Sequence, residues 1–189
     1  MNLETLLAGP AEEVAPRLLG SHLVREVDGQ TLIGRIVETE AYSQQDAASH
    51  SYRGETERTK IMFGPAGFLY VYFTYGMHYC CNVVVGGAGE GAAALIRAVE
   101  PIQGEDIMRH NRHGIAGVQI TNGPAKLCQA LHIDRTQNGH DLSKSPLKLV
   151  MQPALTQTHI VQTTRIGITK AADVPWRFYE RDNPYISKL

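Results

Sequence analysis

Apolar residues recur along this chain in two rhythms, and the switches between them outline its elements. Residues 11–19, AEEVAPRLL, follow Pro10, carry acids in the first turn and stop at Gly20, the signals of a helix that Pro16 should kink. HLVREV and TLIGRIVETEAY flank Asp28-Gly29, where glycine supplies the positive φ of a tight turn, and predict two antiparallel strands. The polar stretch 43–60 has no period and is long for a connector, which makes it a candidate functional loop. In 67–85, GFLYVYFTYGMHYCCNVVV, aromatic and β-branched residues interrupted by Gly76 predict a second hairpin, and AAALIRAVEPI predicts a further strand. GEDIMRHNR and GPAKLCQALHI have helical spacing, the latter with Pro124 in its first turn, and are expected at the surface. LKLVM, HIVQTTRIGIT and WRFYE alternate as strands with one buried face. With no repeat or linker, residues 1–189 read as a single domain of the α+β class, a curved, largely antiparallel sheet with flanking helices.

Composition narrows the setting. With 43% hydrophobic and 20% charged residues and no long apolar run, the chain is expected to be globular rather than disordered or membrane-spanning. The start, MNLETLLAGPAEEV, lacks a basic n-region, so an intracellular protein is expected. Cys80, Cys81 and Cys128 form no CxxC pair and read as buried thiols. The formal net charge of -1 does not by itself suggest nucleic acid, although Arg53, Arg58, Lys60, Arg97, Arg109, Arg112 and Lys126 concentrate cations in the central region.

Candidate chemistry starts at RIVETEAY, where Glu38 and Glu40 lie two residues apart on a predicted strand and should share one face. A carboxylate on a strand beside aromatics can serve as a general base toward water if its pocket is partly dry; the ordinary alternative is a solvated polar face. Tyr70 and Tyr72 share a strand face and Tyr75 sits at the turn, rings that can stack on a planar substrate or simply pack the sheet. His110 and His113 have i, i+3 spacing but no third partner, so no metal is expected. GAGEG at 87–91 lacks the lysine of a phosphate loop and reads as a flexible turn.

RIVETEAY, AASHSY, LYVYFTYGMHYCCNV, LIRAVEP, NGPAKLCQAL and RFYERDNPYIS together resemble the alkyladenine (3-methyladenine) DNA glycosylase family, across about Leu18 to Ser187. The resemblance implies a mixed α/β fold with a protruding DNA-inserting β-hairpin and no cofactor. It implies base-excision hydrolysis of alkylated or deaminated purines (3-methyladenine, ethenoadenine, hypoxanthine) flipped from duplex DNA, leaving an abasic site. By the same resemblance Glu40 is the general base and Arg97 positions the water. Tyr42 stacks on one side of the flipped base, His50 and Tyr72 line the other, and Asn82 rejects the 2-amino group of guanine. Tyr75 enters the minor groove, and Lys126 falls at a position that contacts the DNA backbone. His78 departs from the aromatic residue expected at its site. The partner implied is duplex DNA with a damaged purine, met by a monomer in the cytoplasm of a prokaryote or in a nucleus. A nucleosidase acting on free nucleosides and a non-catalytic module sensing damaged nucleic acid are the competing readings.

Overall fold

Asp28 and Gly29 both take positive φ, 49° and 72°, and turn β1 (His22–Val27) into β2 (Gln30–Tyr42) as an antiparallel pair. In this computed structural model, which describes residues 2–74 and 76–188, β2 is the spine of an eight-stranded sheet. Along one edge β2 pairs antiparallel with β5 (Ala92–Gln103), and β5 pairs in turn with β4 (His78–Val85), which pairs with β3 (Leu69–Thr74). Its other edge is shared: residues Gln30–Arg35 pair with β1, which carries β6 (Leu147–Val150), while Glu38–Glu40 pair with β8 (Arg177–Glu180), which carries β7 (Ile160–Thr163). Every one of these ladders is antiparallel, as expected for an α+β domain.

The helices are short. α1 (Leu3–Leu6) has no clear periodic signal in so few residues and starts on an Asn2 side chain that accepts from the Thr5 N–H. α2 (Ala11–Arg17) buries Val14 and Ala15 and accommodates Pro16 in its last turn, where little helix remains to be broken. α3 is Glu105–Asn111, and α4 (Pro124–Ala130) starts on its proline. The expectation that both last helices lie at the surface needs correction for α4. Leu127, Cys128 and Ala130 are buried and join the main core with Leu18, Ile36, Val83 and Ile96, because one apolar face of α4 covers the sheet.

A second correction concerns HIVQTTRIGIT. Only Ile160–Thr163 is strand; residues after it leave the sheet because Arg165 turns inward to a buried carboxylate, as described below. All three cysteines are buried and free. The GAGEG turn joins β4 to β5 and is pinned where the Ser51 hydroxyl donates to the Gly91 carbonyl at 2.6 Å. None of the described helices is long and apolar enough to cross a membrane.

Candidate active site

The pairing of β2 with β5 slips twice around Glu38. Ile36 lies opposite Val99, Glu38 opposite Ala98 and Thr39 opposite Ile96, so Val37 and Arg97 have no partner in register. Such bulges bend a strand and re-aim side chains. Here they bring Arg97 of β5 between the two acids of β2. Residues 30–36 alternate in burial, but 36–41 are buried on both faces, and Glu38 and Glu40 are each 0% exposed. A solvated polar face is therefore ruled out for both carboxylates.

Two buried carboxylates require cations or donors, and each has them. Glu38 Oε1 accepts from Arg97 Nε at 3.0 Å, Arg177 Nε at 2.7 Å and the Ser187 hydroxyl at 2.9 Å; its Oε2 accepts from the Ser187 backbone N–H at 2.6 Å. Glu40, equally buried, has fewer partners among the described residues. Its Oε1 accepts from the Ile166 N–H at 2.8 Å and pairs with Arg97 Nη1 at 3.1 Å, while Oε2, among the described residues, accepts only from the Tyr42 hydroxyl at 2.8 Å. A carboxylate offers about four lone-pair sites, so one on Oε2 is left without a donor among the described residues, and Glu40 lines a cavity. Burial opposes the charge on Arg97, but Glu40 and Glu38 outweigh it and raise its pKa.

That cavity, of about 360 Å³, is lined by Glu40, Arg97, Tyr42, His50, Tyr72 and Asn82 together, so six residues singled out in the sequence converge on one space. The loop 43–60 supplies Ala48, Ser49 and His50, β3 and β4 supply Tyr70, Tyr72 and Asn82, and Ile166 and Gly167 close it from the irregular segment after β7. Tyr70 and Tyr72 stack with centroids 5.9 Å apart, and His50 stands edge-on to Tyr72 at 4.6 Å. The Asn82 amide donates to the Tyr70 carbonyl at 3.1 Å, which fixes its orientation.

The walls stay neutral at physiological pH. Burial, reinforced by the Arg58 charge, lowers the His50 pKa to about 4, and its Nδ1 lies 3.1 Å from the Tyr70 hydroxyl. Burial also raises Tyr42 far above its ordinary value, with Glu40 adding to the effect, and raises Tyr72, with Cys80 adding. The Cys80 thiol between these groups is pushed up to about 11 by burial. The site thus combines uncharged aromatic walls with a charged floor.

One residue missed in the sequence is Arg165. It is fully enclosed, pairs with Asp46 through both terminal nitrogens, donates to the Ala41 carbonyl at 2.9 Å and stacks over the Tyr42 ring at 4.7 Å. Nothing in RIGIT signals this, because the partner lies 119 residues away in sequence. The cations concentrated in the central region of the sequence occupy different settings. Arg97 is interior, Lys60 pairs with Glu57 and Arg109 with Asp106, while Arg53 and Arg58 are exposed in the loop carrying His50. Lys126 lies on α4 outside the cavity lining, its ammonium donating to Asn122 at 2.7 Å. Tyr75, the expected inserting residue, lies outside the described residues; its neighbours Phe73 and Met77 are 52% and 70% exposed.

A cavity walled by aromatics, with a carboxylate beside a guanidinium, offers rings that can stack on a planar group and a carboxylate that can take a proton from water. The chain belongs to the methylpurine-DNA glycosylase family, whose sequence model matches residues 5–184. It is accordingly a DNA glycosylase, a hydrolase of DNA repair. Three relatives are provisionally named 3-methyladenine DNA glycosylase. One from Carboxydothermus hydrogenoformans is 52% identical over 176 residues, covering 93% of this chain and 92% of the relative. One from Francisella tularensis subsp. tularensis is 47% identical over 190 residues, covering 99% and 98%. One from Methanoculleus marisnigri is 49% identical over 178 residues, covering 93% and 92%.

Proposed function

We propose that the protein excises alkylated or deaminated purines, with 3-methyladenine as the first substrate and ethenoadenine and hypoxanthine as further ones, from duplex DNA. The observation that carries this reading is the buried Glu40 carboxylate, which lines the cavity and is held by Arg97, Ile166 and Tyr42, with one lone pair left without a donor among the described residues. Damaged, weakly paired bases cost least to extrude from the stack. The extruded base lies against Tyr42 on one side and His50 and Tyr72 on the other, with Asn82 at the pocket floor excluding a 2-amino group. Tyr75 fills the gap left in the duplex, and Lys126 holds the DNA backbone. A purine made cationic by alkylation gains roughly 0.5–2 kcal/mol from electron-rich rings, and neutral His50 does not repel it.

As the C1′–N bond breaks, its electron pair leaves with the base and the sugar gains oxocarbenium character, which the Glu40 charge stabilises. A water oxygen attacks C1′ and gives its proton to Glu40, while Arg97 orients that water and restrains the carboxylate. A cationic alkylated purine leaves directly as the neutral free base, whereas a neutral purine leaves as an anion and takes up a proton from solvent to become the free base; the other product is an abasic site. No lysine among the described residues lines the cavity, so hydrolysis is expected without a Schiff base or strand cleavage. The reaction calls for no cofactor.

The test uses matched duplexes with a single 3-methyladenine analogue, ethenoadenine or hypoxanthine, beside the corresponding free nucleosides. Release from duplexes alone is expected. Equal turnover of free nucleosides would identify a nucleosidase, and lesion binding without release would identify a sensing module.

A further inference from the structure

Arg97 is committed through all three of its nitrogens: Nε to Glu38 at 3.0 Å, Nη2 to the Ser187 hydroxyl at 3.2 Å, and Nη1 to Glu40 at 3.1 Å. We propose that Glu38 and Ser187 are positioning residues for base excision, which hold the guanidinium so that it meets Glu40 through Nη1 alone. The proposal rests on the reading of Glu40 as general base. A guanidinium beside a carboxylate ordinarily engages it with two parallel hydrogen bonds. Such a fork would occupy both Glu40 oxygens, including the Oε2 position that has no second donor among the described residues.

The device prevents this by outbidding Glu40 for the other two nitrogens. Glu38 is fully buried and accepts four hydrogen bonds, among them one from Arg177, whose own Nη2 donates to the Lys188 carbonyl. Ser187 is the pivot. Its hydroxyl accepts from Arg97 and donates to Glu38 Oε1, and its backbone N–H binds Glu38 Oε2. Arg177, Glu38, Arg97 and Glu40 thus form one chain of alternating guanidiniums and carboxyl groups that ends at Glu40. Ser187 and Lys188 are therefore a working part of the site, although neither is among the residues that line the cavity.

Ser187→Ala tests this because it removes only the hydroxyl and keeps the backbone hydrogen bond that anchors the segment. Single-turnover base release at saturating enzyme should fall roughly tenfold, while affinity for the lesion duplex and the unfolding midpoint stay as in the unaltered protein. Ser187→Thr, which restores the hydroxyl, should recover most of the rate. A wild-type rate in Ser187→Ala overturns the proposal. So does a slow variant whose lesion affinity or unfolding midpoint falls in parallel, or one that threonine does not rescue. If the unaltered protein releases no base at all, the reading of its function fails instead, and the two failures are distinct.

Discussion

Tyr42 joins two tasks in one side chain, because its ring faces the cavity while its hydroxyl donates to Glu40 Oε2 at 2.8 Å. The two can be separated. Tyr42→Phe keeps the ring and should bind lesion duplexes normally, but lose about tenfold in single-turnover base release, the scale of one hydrogen bond to a charged group. A wild-type rate would show that the hydroxyl does not help to hold the base. His50 makes a prediction about stability. Its folded pKa of about 4 lies below the ordinary 6.5, so between those values the unfolded chain takes up a proton that the folded one refuses. Its contribution to stability is complete above about pH 6.5 and is lost as pH falls toward 4. Urea midpoints measured across that window should fall less steeply on acidification for His50→Gln than for the unaltered protein, and equal slopes would contradict the assignment.

At the scale of elements, the site depends on departures from regular structure. The hairpin at Asp28-Gly29 and the strands of 67–85 and 92–103 were legible because turn chemistry and alternation act locally. The bulges at Val37 and Arg97 were not, since they arise from pairing between strands about 60 residues apart in sequence. The same holds for the segment after β7, where a fully buried ion pair overrides an alternating pattern. Breaking that pair leaves a charge uncompensated in the interior. Either Arg165→Met or Asp46→Asn should therefore destabilise the protein by roughly 3–5 kcal/mol. The double variant should recover a good part of the loss, as read from chemical denaturation; additive losses would show that the two residues act independently.

Across the whole molecule, a net charge of -1 must be reconciled with a polyanionic substrate. Internal pairing explains part of it: several cations counted in the sequence neutralise neighbouring acids, so composition says little about the surface that meets DNA. Site membership was better legible than charge. Glu40, Tyr42, His50, Tyr72, Asn82 and Arg97 were all singled out by motif resemblance, and they line one cavity. Glu38 drew notice only as half of a pair of acids, and Ser187 only as the end of a motif, because a residue that acts through another carries no local signal. Lys126→Gln should weaken binding to all duplexes alike and reduce the dependence of log affinity on log salt by about one unit. An unchanged salt slope would remove Lys126 from the DNA interface.

Catalysis by this site turns on Glu40 acting as a base. The most direct measurement is single-turnover release of a 3-methyladenine analogue from a lesion duplex by Glu40→Gln, with the binding affinity measured on the same duplex. The amide keeps the shape of the carboxylate but cannot take a proton from water, so binding should persist while base release disappears. Release at the wild-type rate by this variant would contradict the mechanism.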